Sequence, residues 1–390
     1  MKVNTVRAYC VRAPVTYPFR SARGLLRERA DLLVELVADN GHSGWGNGGD
    51  LDTGTEALAA AAPLILGADL MQTDPVHLWD RLSGALPIGE LSAVDTALWD
   101  LRGQALGQSV AGLLATGGGS ARRQVRAYAT GLFRQQRWSD ADHARELVRE
   151  AESYAAAGFT AMKLKTGFGL DADVRHTAAI RRTIGSDVAL YVDSNAAYTA
   201  QQSVSLGEAV AGYEIGWMEE PAGARDWTGY HQVRTRLGTL SPPITVAGGE
   251  QLGLAADFAA GCDAAAWDVV QPDVVSAGGI TGMWRLGELV RAKGMALVPH
   301  CFHTGIALAA TLQLLSAQPL NPPGSGPALA HEPLLEYDQT EHPTREALVR
   351  PIISQRDGHV QVPDGPGLGI TVQRDVLERY ATSAETVASL

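Results

Sequence analysis

Carboxylate side chains stand at the ends of three successive apolar segments in this 390-residue chain. They are Asp193, Glu219 and Glu250. If these segments are neighbouring parallel strands, the carboxylates converge, and like charges this close cannot all stay ionised without a cation. Oxygen ligands without cysteine or histidine favour a hard ion, so the sequence predicts one Mg²⁺ per subunit here. The alternative, that each acid caps the helix after its strand, explains one such residue better than three in succession.

Two lysines lie at the end of an earlier apolar segment. Lys163 and Lys165 are separated by one residue, so on a strand their side chains point to the same face. On an inward face each ammonium group lowers the pKa of the other, which allows one of them to act as a neutral base. The alternative, a solvent-facing pair, would force the apolar neighbours Met162 and Leu164 to occupy the interior together. We therefore predict a catalytic role for both lysines.

A carboxylate and an imidazole end the last two of these segments. Asp273 accepting a hydrogen bond from one ring nitrogen of His300 would fix the tautomer and leave the other nitrogen for proton transfer. His303 lies close in sequence and competes for this role. A lone histidine is more often structural, so the assignment of His300 depends on its partner and its strand-end position.

Short apolar segments alternate with amphipathic helical stretches from about residue 125 onward. Predicted strands are Val125–Gly131, Ala161–Lys165, Ala189–Asn195, Gly216–Pro221, Ile244–Glu250, Ala266–Asp273 and Met295–His300, with a weaker one near Pro333–Asp338. Helices are predicted at Asp140–Ala157, Asp171–Ile184 and Ile280–Lys293. This alternation predicts a (β/α)7-8 TIM-like barrel, whose active-site groups lie at the carboxyl ends of the strands. An open doubly wound sheet is the alternative, but no Gly-rich fingerprint follows the first strand.

The first part of the chain has a different pattern. Strands at Val3–Val11 and Asp31–Val37 and turn residues at Gly41–Gly49 precede helical patterning at Glu56–Leu66 and Glu90–Leu114. Strands followed by helices indicate an α+β unit. We predict an α+β capping domain at 1–122, the barrel at 123–356 and a C-terminal segment at 357–390 that returns to the capping domain. The long polar segment at about 16–29 is predicted to be a lid loop.

The bulk composition limits the partners of this protein. A formal net charge of -11 does not favour nucleic acid or an anionic membrane surface. The sequence contains no apolar run of the roughly 20 residues that a membrane-spanning helix needs. Three widely spaced cysteines, in no metal-type pair, fit a reducing compartment. With no apolar signal core after Met1, we expect a cytoplasmic protein that acts on a small-molecule carboxylate.

Taken together, these motifs resemble the enolase superfamily and, within it, the mandelate racemase subgroup. The likeness spans nearly the whole chain. In the barrel it rests on K-x-K at 163–165, D-x-N at 193–195, W-x-E-E-P at 217–221, G-E at 249–250, Q-P-D at 271–273 and P-H at 299–300. Outside the barrel it includes residues 93–101 and 363–369. A lysine at position 273 would be typical of the muconate-lactonizing branch, so Asp273 favours the racemase-like branch.

The resemblance implies a role for each of these residues. Asp193, Glu219 and Glu250 would bind Mg²⁺, and Lys165 and His300 would be bases on opposite faces of the substrate. Lys163 would tune Lys165, and Asp273 would orient His300. Glu336 resembles the acid that hydrogen-bonds the substrate carboxylate, with Glu332 as a rival. Members of this family are commonly homo-oligomers, so we expect the same here.

Removal of the proton next to a carboxylate, through an enediolate, permits two outcomes. We favour dehydration of an acid sugar, an aldonate or aldarate, to a 2-keto-3-deoxy acid, because the arginines of the lid offer donors for hydroxyls or a second carboxylate. A racemase or epimerase of mandelate type is the alternative isomerase, and a non-catalytic metal-binding barrel is an alternative of another class. Candidate substrate-binding residues besides Glu336 are Tyr17, Arg20, Asn195 and His303.

Overall fold

The computed structural model of the chain describes residues 1–115 and 121–390. The strands are β1 (Val3–Ser21), β2 (Gly24–Ala38), β3 (Ser43–Asn47), β4 (Gln124–Thr130), β5 (Arg134–Gln135), β6 (Ala161–Lys165), β7 (Ala189–Asp193), β8 (Ile215–Glu219), β9 (Thr245–Gly248), β10 (Val269–Val270), β11 (Ala296–Leu297), β12 (Leu334–Asp338), β13 (Val349–Arg350), β14 (Gln355–Arg356), β15 (His359–Gln361), β16 (Thr371–Val372) and β17 (Ala381–Ser389).

The helices follow the same chain order. They are α1 (Gly54–Ile65), α2 (Pro75–Leu82), α3 (Ile88–Leu106), α4 (Val110–Leu114), α5 (Asp140–Ala156), α6 (Leu170–Ile184), α7 (Ala200–Val210), α8 (Trp227–Leu237), α9 (Ala255–Asp263), α10 (Gly279–Ala292), α11 (Gly305–Ala317), α12 (Pro343–Glu346) and α13 (Arg374–Tyr380), with 3₁₀ turns at Ala211–Tyr213 and Ala328–His331. Within the described residues, none of these helices has the length and apolar character needed to cross a membrane.

The N-terminal part forms an antiparallel sheet in the order β17-β1-β2-β3, covered by helices. Strand β3 lies where the glycines at 41–49 predict a turn. Its glycines permit close packing on α3, since a Cβ at Gly44 would lie 2.3 Å from the Ala97 carbonyl oxygen and one at Gly46 1.8 Å from that of Ala93. The C-terminal strand β17 pairs with β1, with Thr5 opposite Ser389. The N-terminal sheet is therefore completed by the C-terminal segment.

The prediction of a lid loop at 16–29 is wrong. Strands β1 and β2 continue through this segment and form a long hairpin that turns only at Ala22-Arg23, with Arg20 opposite Leu25. Its buried side chains explain why it is ordered. The rings of Phe19 and Phe133 lie 4.7 Å apart, and the buried Arg29 forms a 2.9 Å ion pair with Asp338 of β12. The hairpin is therefore anchored to the barrel.

The predicted barrel is confirmed. In the described residues its parallel strands are β4 and β6–β12, adjacent in the order β12-β4-β6-β7-β8-β9-β10-β11. The strand β15 adds to β4 in the antiparallel direction. The side chain of Asn321 joins β11 to the 3₁₀ turn that precedes β12, because its Nδ2 donates to the carbonyl oxygens of Leu297 at 3.1 Å and Ala330 at 2.8 Å.

Aromatic side chains fill the barrel interior below the strand ends. Tyr191 and Trp217 stack with ring centroids 3.5 Å apart, and Tyr128 meets each of them edge-on. Because side chains alternate along a strand, the next inward residues after Tyr191 and Trp217 are Asp193 and Glu219. The aromatic layer therefore forms a rigid floor beneath the ionisable groups.

Polar contacts hold the N-terminal domain onto the barrel. The side chain of Asp95 in α3 accepts hydrogen bonds from the backbone N–H of Thr281 at 2.8 Å and from its hydroxyl at 2.7 Å. The indole of Trp99 donates to the same hydroxyl at 2.8 Å. Burial raises the pKa of Asp95 from 3.8 to about 7, although the Thr281 donors act in the opposite direction.

The raised pKa of Asp95 predicts a pH-dependent cost to stability. The folded protein binds a proton at Asp95 more tightly than the unfolded chain does. The stabilising contribution of this proton to the free energy of unfolding is complete below pH 3.8 and is lost as pH rises towards about 7. Replacing Asp95 with Asn removes this loss. We expect the melting temperature of Asp95→Asn, relative to that of the native protein, to increase by about 2–4 °C between pH 4 and pH 8. A difference that stays constant over this range would contradict an ionisation cost at Asp95.

Candidate active site

Three carboxylates meet where the parallel strands end. Asp193 and Glu219 are the last residues of β7 and β8 and lie opposite each other in the sheet. Glu250 follows β9. One carboxylate oxygen from each of the three lies within 4.8 Å of the others, and Asp193 and Glu219 are completely buried. The convergence expected from the sequence is therefore present.

The donor set fits a divalent cation. Burial and the neighbouring carboxylates raise the pKa of Glu219 to about 8, although Lys163 lowers it. The second Glu219 oxygen accepts hydrogen bonds from Gln271 at 2.7 Å and Trp217 at 3.2 Å. Oε2 of Glu250 is buried and has no hydrogen-bond donor among the described residues. An all-oxygen triad with an unpaired buried oxygen suits Mg²⁺ in size and hardness.

The two lysines point into the same cluster. Nζ of Lys163 lies 2.6 Å from Glu219 and 2.8 Å from Glu336, and Nζ of Lys165 forms an ion pair with Asp193. Burial lowers the pKa of Lys165 and so does Lys163, but Asp193 and the other carboxylates raise it above its usual value. The lysine pair alone therefore does not lower the pKa of Lys165 below its usual value. A divalent cation bound by the carboxylates would offset their charge and so lower the pKa of Lys165, which favours its neutral form.

The aspartate–histidine pair has the expected geometry. Nδ1 of His300 lies 2.5 Å from Oδ2 of Asp273, and its Nε2 lies 3.6 Å from Oε2 of Glu250. Burial lowers the pKa of His300, but Glu250, Glu336 and Asp273 outweigh burial and raise it to about 10. The ring is thus oriented by one carboxylate and presents its other nitrogen to the triad.

The choice between the two acids near β12 is clear in the structure. Glu336 is completely buried and accepts hydrogen bonds from Thr130 Oγ1 at 2.6 Å and from the backbone N–H of Cys301 at 3.2 Å. Burial, the largest single effect, raises the pKa of Glu336. Lys163 and other cationic groups together outweigh burial and lower the pKa to about 2. Glu332, by contrast, is exposed next to the 3₁₀ turn. Glu336 therefore belongs to the cluster and Glu332 does not.

Two further predicted residues lie beside the cluster. Asn195 has a left-handed backbone with φ 45°, and its Nδ2 donates to Asp193 at 3.0 Å, so it supports a candidate metal ligand. Nδ1 of His303 lies 2.7 Å from Asp31 of β2, and its Nε2 lies 3.8 Å from Asp273. Asp31 of the N-terminal domain therefore holds His303 through Nδ1. The histidine that forms the close pair with Asp273 is His300.

The structure places Tyr17 and Arg20 away from the cluster. The ring of Tyr17 is half exposed and lies under the guanidinium of Arg137, 3.9 Å from its centroid, and the side chain of Arg20 is exposed on the hairpin. Neither residue lines the cavity at the triad. The hairpin instead extends Arg23 at its tip towards the barrel, because the strands continue through the segment predicted to be a loop.

Two further residues belong to the site: Glu220, to which no sequence prediction gives a role, and Arg23, which is predicted only as one of the lid arginines. The guanidinium of Arg23 lies 2.7 Å from Oε1 of Glu250 and forms an ion pair with Glu220. Burial and the neighbouring carboxylates raise the pKa of Glu220 to about 7, although Arg23 lowers it. Glu220 also accepts a hydrogen bond from Gln251 at 2.7 Å. The two adjacent acids of the W-x-E-E-P pattern were a signal for Glu220, whereas no sequence pattern distinguishes Arg23 from the other hairpin arginines.

A cavity of ≈ 520 Å³ opens beside the triad between the N-terminal domain and the barrel. Groups from both parts line it, including Arg23, Asn47, Glu250, His300 and His303. Its volume suits a small molecule. A substrate in this cavity would reach Glu250 of the triad and the Asp273–His300 pair together.

A barrel with a carboxylate triad, a lysine pair and an aspartate–histidine pair defines the class of protein, and comparison with known families agrees. Residues 3–115 match the model for the mandelate racemase / muconate lactonizing enzyme N-terminal domain, and residues 146–376 match that for the enolase C-terminal domain-like family. The chain belongs to the enolase superfamily, in its mandelate racemase subgroup.

Characterised relatives cover almost the whole chain. It is 35% identical over 387 residues to D-galactarolactone cycloisomerase of Agrobacterium fabrum, covering 97% of this chain and 99% of the relative. It is 30% identical over 373 residues to arabinonate dehydratase of Saccharolobus solfataricus, covering 92% of each. These relatives are enzymes that differ in reaction.

Solved structures have the same architecture. The 3,6-anhydro-D-galactonate cycloisomerase of Zobellia galactanivorans is 30% identical, with a TM-score of 0.83 over 98% of this chain and 100% of that one. A racemase of Streptomyces coelicolor, solved with bound magnesium, is 25% identical, with a TM-score of 0.82 over 97% of this chain and 100% of that one.

The triad yields a direct prediction for metal binding. Replacing Glu219 with Gln removes a carboxylate oxygen, so we expect Mg²⁺ affinity to fall by more than about 100-fold, because loss of even a supporting residue costs 10–100-fold. Isothermal titration calorimetry measures this directly. The exposed Glu332→Gln is the matched control and should bind like the native protein. Equal Mg²⁺ affinity in Glu219→Gln and the control would rule out this triad as the metal site.

Proposed function

We propose that this protein is a magnesium-dependent enzyme that removes the α-proton of a sugar-acid carboxylate and then eliminates the β-oxygen. The observation that carries the proposal is that proton-transfer groups flank the triad. Lys165 contacts Asp193 on one side, and Nε2 of His300 lies 3.6 Å from Glu250 on the other. A substrate carboxylate at the triad would have a proton-transfer group on either side.

The cluster is suited to the first half of such a reaction. When bound, Mg²⁺ supplies positive charge that offsets the charge growing on the substrate carboxylate. Lys165 or His300 takes the α-proton, depending on the configuration of the substrate. Lys163 and Glu336, buried and 2.8 Å apart, fix the charge distribution behind the reacting carbon. The aromatic floor excludes water from below.

The second half depends on the leaving group. We propose that the ring oxygen of a sugar-acid lactone leaves, and the relative from Agrobacterium supports a lactone substrate because it is named D-galactarolactone cycloisomerase. Elimination then opens the ring without loss of any atom. The class is an isomerase, and the product is a linear 2-keto-3-deoxy acid.

Dehydration is the second candidate function. It is favoured by the match to arabinonate dehydratase and by the position of His300, whose Nε2 faces the triad and whose Nδ1 is held by Asp273. A departing hydroxyl needs a proton, and a protonated imidazole can donate one. A lyase would then release water together with a 2-keto-3-deoxy acid.

Products distinguish these reactions. Purified protein with Mg²⁺ is incubated with a library of aldonates, aldarates and their lactones, and products are analysed by mass spectrometry and proton NMR. Ring opening gives a keto acid with the composition of its substrate, and dehydration gives one that has lost a water. Exchange of the α-proton in D₂O without a keto product would instead indicate a racemase or epimerase. Absence of both exchange and product across the library would overturn the proposal and favour a non-catalytic barrel.

The role of Lys165 is tested by substitution. We expect Lys165→Ala to lower turnover by about 10²–10⁴-fold on substrates whose α-proton faces this residue, the usual contribution of a positioned acid or base. Mg²⁺ affinity should not weaken, because the variant loses a cation beside Asp193. The surface variant Lys293→Ala, which loses only an exposed pair with Asp263, is the control. Full turnover of Lys165→Ala on every substrate would exclude Lys165 as a base.

A further inference from the structure

The hairpin tip places a cation in contact with the candidate metal ligands. Arg23 contributes Nη1 to Glu250 at 2.7 Å and Nη2 to Glu220, and the two carboxylate side chains are at most 6% exposed. Burial lowers the pKa of Arg23, but the two carboxylates raise it by more, so the guanidinium stays charged. Glu250 is thus shared between the triad and Arg23, although a carboxylate that binds a divalent cation has less charge to offer a guanidinium.

The same arginine faces the substrate cavity. The lining of the ≈ 520 Å³ cavity includes several acids, but Arg23 is its single arginine or lysine among the described residues. The acids near it already have partners. Asp273 accepts from His300, Asp31 binds Asn47 at 3.1 Å and His303 at 2.7 Å. An anionic group formed in this cavity, away from the metal, would therefore have Arg23 as its guanidinium partner.

Ring opening of a sugar-acid lactone creates such an anion. The bond from the α-carbon to hydrogen breaks, and the proton passes to the base and then to solvent. The bond from the β-carbon to the ring oxygen breaks, and its electron pair leaves with that oxygen, which becomes part of a carboxylate. The enol formed between the α- and β-carbons loses its hydroxyl proton and gains one at the β-carbon, which gives the keto acid. The step turns a neutral ester into an anion while the atoms of the substrate stay together.

We propose that Arg23 is the residue that stabilises this leaving carboxylate, and that a divalent cation on Glu250 frees one side of its guanidinium to do so while Glu220 holds the other. This inference rests on the proposed function. The guanidinium provides paired, planar donors that match a carboxylate, and charge developing in the transition state is where such contacts increase the rate. Arginine does not give up its proton, so it can stabilise a carboxylate but cannot protonate a departing hydroxyl. Arg23 therefore suits the carboxylate leaving group of lactone ring opening.

The first test measures Mg²⁺ binding without substrate. Arg23→Gln removes the competing cation, so we expect Mg²⁺ to bind about tenfold more tightly than to the native protein. Arg20→Gln removes the same charge from the exposed part of the hairpin and should bind like the native protein. Arg23→Lys keeps the charge and should stay near native affinity. Equal or weaker binding by Arg23→Gln would overturn the exchange of Arg23 for metal.

The second test measures kinetics at saturating Mg²⁺ with the lactone that the native protein converts best. We expect kcat of Arg23→Gln to fall by about 10–100-fold, with Arg23→Lys recovering part of it, because lysine lacks the paired planar donors. Melting curves check that each variant is folded. Native kcat in a folded Arg23→Gln would overturn the assignment and leave the proposed function intact. A native protein that converts no lactone fails the proposed function instead, and the calorimetry still tests the exchange.

Discussion

Charge balance in a buried cluster is the constraint on which the mouth of the barrel depends. The carboxylates of Asp193, Glu219 and Glu336 are completely buried, and Lys163 lies enclosed among them. Isolated buried charges of one sign are costly, and removing one partner from such a set leaves an uncompensated charge. The low local dielectric that imposes this cost also strengthens every interaction that the cluster makes with a reacting substrate. Stability and reactivity are thus properties of the same groups.

The scaffold fixes these groups through two different devices. Parallel pairing sets the relative height of the strand ends, so that Asp193 and Glu219 lie side by side. The stacked Tyr191 and Trp217 below them cannot give way, because ring centroids 3.5 Å apart leave no free space. The N-terminal domain then closes the open side. Preorganisation by strands rather than loops explains how one architecture can support reactions as different as those named for a cycloisomerase, a dehydratase and a racemase among its relatives.

Much of this arrangement is predictable from the sequence. Polar groups at the ends of apolar segments identified the barrel and most of the cluster, since the period of a strand and the geometry of parallel sheets are local rules. The hairpin at 16–29 was misjudged because its exposed arginines suggest a loop, although the alternate residues Val15 and Phe19 are buried. The position of Arg23 depends on where the hairpin turns, which is set by tertiary packing of Arg29 and Phe19 against the barrel.

The protonation states were the other part that sequence could not supply. Spacing shows that Lys163 and Lys165 are neighbours, and neighbouring ammonium groups lower each other's pKa. The pKa of Lys165 is nevertheless raised, because carboxylates from other strands, Asp193 above all, outweigh both burial and Lys163. A pKa sums contributions from groups that only the fold brings together, whereas a sequence pattern reports one strand at a time.

The pairing of β17 with β1 has a consequence for the order in which the molecule matures. Residues 5–11 hydrogen-bond with residues 381–389, so the N-terminal sheet gains one of its strands only after the intervening barrel has been synthesised. Until then β1 presents an unpaired edge to the cell, which is the kind of surface that chaperones protect from aggregation. The N-terminal sheet can therefore be completed only late in synthesis. A chain whose synthesis stops within the barrel cannot form the pairing of β1 with β17.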